Sequence, residues 1–134
     1  MIVKVPISFE ITYELWEKLF IAAIDGGENK PGVSYWASVN CRTASEIYPD
    51  EPFSVACAKY FWDGVQHGGE AGGGMFVHAH DGNSRILFFD DFITGITKCI
   101  EDDYYRDSII SGDMNTGIAD AWFQYSCYSE QVYE

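Results

Sequence analysis

The chain has 134 residues, 47% of them apolar and 16% aromatic, and its 21 Asp and Glu against 8 Lys and Arg give a net charge of −13 at pH 7. So many aromatic residues exclude a disordered acidic tail, and so large a negative charge excludes binding to nucleic acid by neutralising phosphates. The length predicts one domain over 1–134, able to bury roughly two-thirds of its unfolded surface without metals or disulfides.

Met1 to Glu10 contain no apolar signal core. No apolar run approaches the ~18 residues of a membrane span, so the protein is expected in the cytoplasm, away from the membrane. Residues 13–25 read as an amphipathic helix, with Trp16, Leu19, Phe20, Ala23 and Ile24 on one face and Glu14, Glu17 and Lys18 opposite. Thr12 is its expected N-cap, and Gly26-Gly27 its left-handed stop. Residues 33–39 alternate as a strand, placing Val33, Tyr35, Ala37 and Val39 on one face and Trp36 on the other.

Pro49 and Pro52 mark 40–52 as loop, and 53–62 suits a strand or a short helix equally. The six glycines of 64–74 predict a loop. Strands 75–80 and 84–89 flank Asp81-Gly82-Asn83, a strong hairpin signal. Asp90 is the expected cap of a helix over 91–101, a short helix follows over 104–110, and Asp113 or Asn115 should cap a last helix over 116–128. The apolar stripe of that last helix is Ile118, Ala121, Trp122 and Tyr125. The sum is α+β: a small antiparallel sheet of three to four strands with about three helices packed on one face.

The charge is concentrated. Residues 90–134 hold Asp90, Asp91, Glu101, Asp102, Asp103, Asp107, Asp113, Asp120, Glu130 and Glu134 against Lys98 and Arg106, which places −8 of the −13 in the last third. Duplex DNA presents a charge every ~1.7 Å of axis, and a protein imitates it only with carboxylates spread over one face. Glu101, Asp102, Asp103, Asp107 and Asp113, beside Tyr104 and Tyr105 and with Asp91 nearby, are the candidate partner-binding residues. The partner such a face suits is a basic, nucleic-acid-binding protein. The eight basic residues form no cluster, so no direct contact with nucleic acid is expected.

Few residues suggest chemistry. His78 and His80 share a strand face, and a zinc site would need Asp63, Asp81, Glu70 or Cys57 as a third ligand; no spacing fixes one, and no metal or other cofactor is expected. Gly68 to Gly74 lack the Gly-Lys-Ser/Thr of a phosphate loop and precede a strand. The adjacent acids Asp90-Asp91 and Asp102-Asp103 would diverge on a helix. No serine elbow or Cys–His pair is visible, so no enzyme is expected. Cys41, Cys57, Cys99 and Cys127 are expected as free thiols, with Cys99 and Cys127 in the core.

Ala22-Ala-Ile-Asp-Gly-Gly27 followed by Tyr35-Trp36 resembles the helix–Gly-Gly–x–Tyr-Trp signature of a family of small bacteriophage and prophage proteins. The segment Asp113 to Glu134 resembles that family's closing helix, in which an Asp-rich turn leads into an Ala-Asp-x-x-x-Gln pattern and a Gly-Glu-x-Val-Tyr-Gly end. The chain departs at Tyr128-Ser129-Glu130, where the family reads Phe-Gly-Glu, and in the insert Glu28-Asn-Lys-Pro-Gly32. The resemblance implies a phage-type accessory protein and carries no activity with it. Acidic phage proteins of this size include inhibitors of host defence, anti-CRISPR and anti-restriction proteins among them. The expected function is therefore a non-enzymatic, DNA-mimic-like inhibitor. The alternatives are a metal-binding protein or enzyme using His78 and His80, or an accessory domain that binds another host protein.

Overall fold

Helix α1 spans Tyr13–Ile24 and is capped by Thr12, whose Oγ1 accepts from the Leu15 N–H at 3.2 Å. Its predicted stripe is buried at Trp16, Leu19, Phe20 and Ala23, with Leu15 added and Ile24 half-buried. Gly26, at φ +72°, takes the left-handed position after the helix. The computed structural model describes residues 9–27, 32–66 and 73–133.

The expected strand over 33–39 starts late. Gly32–Tyr35 form a 3-10 turn, and the Trp36 N–H donates to the Val33 carbonyl at 3.0 Å. The turn lies hard against α1: a Cβ on Gly32 (φ +67°) would collide with the Ala23 carbonyl oxygen. Only Ala37–Asn40 are extended, as β1, and Trp36 turns inward. The expected loop over 40–52 contains α2, Arg42–Ile47, which buries Ala44 and carries an Arg42–Glu46 pair at 2.8 Å. Six residues are too few for helical periodicity to register in sequence. The ambiguous 53–62 segment is helical, and α3 runs over Phe53–Gln66, through the Gly64 expected to open a loop. Most of the glycine-rich stretch, with His67 and Glu70, lies outside the described residues.

The predicted hairpin forms from β2, Met75–Ala79, and β3, Ser84–Leu87, around Gly82 at φ +99°. Asp81 shapes the turn by accepting from the Asn83 N–H at 3.1 Å. The sheet is antiparallel in the order β1-β2-β3, with Ala37 opposite Ala79 and Met75 opposite Leu87. Ala37, Met75, Val77, Ala79 and Leu87 face the core, while Ser38, Phe76, His78 and Ile86 face outward.

The chain ends in α4 (Phe89–Glu101), α5 (Asp103–Ser111) and α6 (Thr116–Tyr128). The N-cap of α4 is Phe88, not Asp90: Asp91 reaches back and its Oδ2 accepts from the Phe88 N–H at 2.9 Å. Asp90 stays in the first turn, where a carboxylate suits the helix dipole. At α6, Asn115 is the cap, accepting from the Ile118 N–H at 2.9 Å. The four-residue stripe expected on α6 is too narrow. Nine of its thirteen residues are buried, including Asp120, Phe123 and Gln124, while Tyr125 is only half-buried. The architecture is thus α+β, with six α-helices and a three-stranded antiparallel sheet among the described residues.

An aromatic core joins the long helices. The Phe92 ring of α4 lies within 5.0–6.3 Å of Phe20, Phe61, Trp122, Trp16 and Phe123. Helices α4 and α6 meet at Gly95, where a Cβ would collide with Ser126 Oγ and sit 2.8 Å from the Trp122 carbonyl oxygen. All four cysteines are buried free thiols. Burial pushes those of Cys99 and Cys127 up to about 12. Gly95→Ala is expected to cost about 1–3 kcal/mol by overpacking this crossing. Gly117→Ala, at an exposed position in the first turn of α6, should change stability by less than about 1 kcal/mol. Chemical denaturation of both variants checks the contrast.

Candidate functional site

The acidic residues singled out in sequence divide into two groups. Asp102 caps α5, its Oδ1 accepting from the Tyr104 N–H at 2.9 Å, and its Oδ2 accepts from the Tyr125 hydroxyl at 3.3 Å. Asp91 caps α4. Both carboxylates are engaged in the fold. Glu101, Asp103, Asp107 and Asp113 are exposed. Asp103 pairs with Arg106 at 2.9 Å and Glu101 lies 4.0 Å from Lys98, while Asp107 and Asp113 have no ion-pair partner among the described residues.

Arg106 explains why α5 sits where it does. Its Nε donates to the Ile100 carbonyl at 2.6 Å, closing the C-terminal end of α4, and its Nη2 holds Asp103. On α5, Asp103, Asp107 and Ile110 follow the helical spacing of one exposed stripe, with Tyr104 beside it at 82% exposure. Opposite, Ile109 is fully buried and Tyr105 donates to Gln131 at 2.9 Å. The exposed side of α5 is therefore carboxylate with a bare aromatic ring and an aliphatic side chain. Exposed apolar groups ringed by charge are what protein-binding surfaces present.

Among the described residues, His78 and His80 are not brought together with acids. His78 Nδ1 lies 2.6 Å from Ser84 Oγ, and His80, in the turn beyond β2, places Nε2 3.0 Å from the Ser34 carbonyl oxygen. Of the third ligands considered, Cys57 is in the core, Asp63 binds the Tyr48 hydroxyl, and Asp81 accepts from Tyr133 at 2.7 Å. Among the described residues no three His, Cys, Asp or Glu side chains are grouped to hold a metal, and no helix is long and apolar enough to cross a membrane.

One cluster went unrecognised in sequence. Asp120 is buried in α6 and accepts from Trp36 Nε1 at 2.8 Å, the Tyr35 hydroxyl at 2.7 Å and Gln124 Nε2 at 3.0 Å. Gln124 in turn grips the C-terminal segment: its Oε1 accepts from the Val132 and Tyr133 N–H groups at 2.8 and 2.6 Å, and its Nε2 donates to the Tyr133 carbonyl at 2.9 Å. The Tyr133 ring stacks on Trp36 at 4.7 Å. Tyr35-Trp36, Asp120-x-x-x-Gln124 and Val132-Tyr133 are thus one hydrogen-bonded assembly. No protein-family model, curated protein or solved structure matches the chain.

Burial pushes the Asp120 carboxyl above its usual 3.8, outweighing the three donors that pull it down. The folded state therefore binds this proton more readily than the unfolded state. The contribution of Asp120 to stability must fall as pH rises from the ordinary carboxyl value through the raised one. Asp120→Asn leaves one oxygen for three donors and should cost about 1–3 kcal/mol. The stability difference between wild type and Asp120→Asn is expected to shrink as pH rises across that window. Urea titrations of both proteins at several acidic pH values measure it.

Proposed function

We propose that this chain is a non-enzymatic inhibitor that places the exposed face of α5 in a basic, nucleic-acid-binding groove of another protein. The observation that carries this reading is the grouping of Asp103, Asp107 and Asp113 with the bare Tyr104 ring and Ile110 on and beside one helix. The carboxylates give attraction to Arg and Lys and steer approach; the ring and the aliphatic side chain supply apolar contact. The −13 balance supports it, since the long-range field of the whole molecule favours the same partners. The resemblance of the Gly-Gly, Tyr-Trp and C-terminal segments to phage proteins points to a host defence complex as the target. Occupying its groove would exclude DNA or RNA.

The test is a triple variant, Asp103→Lys, Asp107→Lys and Asp113→Lys, which leaves the caps Asp91 and Asp102 intact. Asp107 and Asp113 have no ion-pair partner among the described residues, and their exchange should cost within ~0.5 kcal/mol each, while Asp103→Lys also gives up the exposed Arg106 pair, worth about 1 kcal/mol or less, so circular dichroism should show a folded protein. Affinity capture from host lysate, read by mass spectrometry, should recover a nucleic-acid-binding protein with wild type and lose it with the variant. The association rate with that protein should fall steeply as salt rises, because exposed charges are screened beyond ~8 Å near physiological ionic strength. Recovery of the same protein by a folded variant, or a rate indifferent to salt, would remove the acidic face from the mechanism.

A further inference from the structure

A second feature lies away from α5. Tyr13 at the start of α1, Tyr48 just past α2, and Lys59, Trp62 and Asp63 on α3 line an open cleft of about 500 Å³. We propose that this cleft binds a weakly hydrated organic cation, a guanidinium or an alkylated ammonium, between its aromatic walls and Asp63.

The walls are fixed in place. Trp62 packs edge-on against Tyr13 with centroids 5.5 Å apart and lies 5.8 Å from the buried Trp16, whose Nε1 donates to the Ala58 carbonyl at 2.9 Å. The Tyr48 hydroxyl donates to Asp63, and that bond is the main reason it is held up to about 12. The Tyr13 hydroxyl is buried beside Glu17 without a hydrogen bond of normal geometry. Rings with little freedom to rearrange can meet a ligand at small entropic cost.

The electrostatics select the ligand's sign. Glu17, Glu51 and Asp63 all act on the Tyr13 hydroxyl and on the Lys59 ammonium, so three carboxylates face one resident cation. Lys59 already sits on an aromatic face, 6.0 Å over the Tyr48 ring, with Glu51 at 2.6 Å. This arrangement accommodates a cation over a ring in the protein itself, and leaves Tyr13, Trp62 and the remaining acceptor sites of Asp63 for another. An open cleft cannot strip water from a compact ammonium. A guanidinium or quaternary ammonium holds its water loosely and stacks on aromatic faces. The cleft is built from other elements than α5, so it stands independently of the acidic-face reading.

The experiment is a titration of ¹⁵N-labelled protein with arginine amide, with tetramethylammonium and with citrulline amide, a neutral isostere, at constant ionic strength. The Trp62 indole resonance is identified as the one missing from Trp62→Phe. A saturable shift of that resonance with either cation, absent with citrulline amide, is expected. Asp63→Asn should weaken binding about tenfold, and Lys59→Met should strengthen it by removing the competing ammonium. Saturation by arginine amide alone assigns the cleft to an arginine side chain of a partner; saturation by tetramethylammonium alone assigns it to a free alkylammonium. Response to neither cation, or an equal response to citrulline amide, overturns the proposal. The α5 triple Lys variant should keep the shift, which separates a failure here from a failure of the α5 face.

Discussion

The structure depends on Phe92 having somewhere to go. Its ring enters the space between α1, α3 and α6, and the aromatic rings of all three close around it. That packing requires α4 and α6 to approach closely, and Gly95 with Ser126 makes the approach possible. A chain of net charge −13 carries a standing repulsion that opposes compactness. Large rings offset it: each buries far more area than an aliphatic side chain, and edge-to-face pairs add about 0.5–1.5 kcal/mol beyond burial. The high aromatic content is thus the counterpart of the acidic surface.

The polar side of the same arrangement is Asp120. A helix buried nearly all round leaves no solvated face for a carboxylate, so the charge must find donors inside. Trp36 and Tyr35 provide them because the 3-10 turn rotates both toward α6, where a continuous strand would have sent them to opposite faces. Gln124 then uses its amide as a short stretch of backbone would, pairing with Val132 and Tyr133 and fixing the last described residues to the core. The helix end, the turn and the C-terminal segment are one unit held by two side chains.

Much of this was legible in sequence, for a reason that also explains the failures. The stripe from Trp16 to Ala23, the Thr12 cap and the Asp-Gly-Asn hairpin are local signals that neighbours in sequence decide, and the structure has all three. Tyr35-Trp36 alternate as a strand would, but Gly32 pressed against Ala23 decides that segment from outside it. Asp90 looks like a cap by position, yet Asp91 has the geometry to reach back to Phe88. The acidic candidates could be counted in sequence, but not sorted into caps and free carboxylates. Asp120 stands in sequence as one acid among ten, because composition cannot distinguish a buried carboxylate from an exposed one. The cleft of Tyr13, Tyr48 and Trp62 is invisible in sequence because its residues are far apart, Pro49 and Pro52 mark the Tyr48 segment as loop, and 53–62 suits a strand or a helix equally.

The two surfaces stand in different relations to the core. Of the buried residues of α5, Ile109 alone is in the core, and the helix is fastened largely by Arg106, by the Asp102 cap and by Tyr105. A helix so lightly committed to packing can change its outer residues without disturbing Phe92, which is why carboxylates can gather there at little structural cost. The cleft differs. Trp62 leans on Trp16, and Trp16 touches Phe20, Phe89 and Phe92, so a ligand against Trp62 meets the edge of the aromatic core. A substitution at Trp62 therefore disturbs the packing around Trp16, whereas exchanges of the exposed carboxylates of α5 leave the aromatic core untouched.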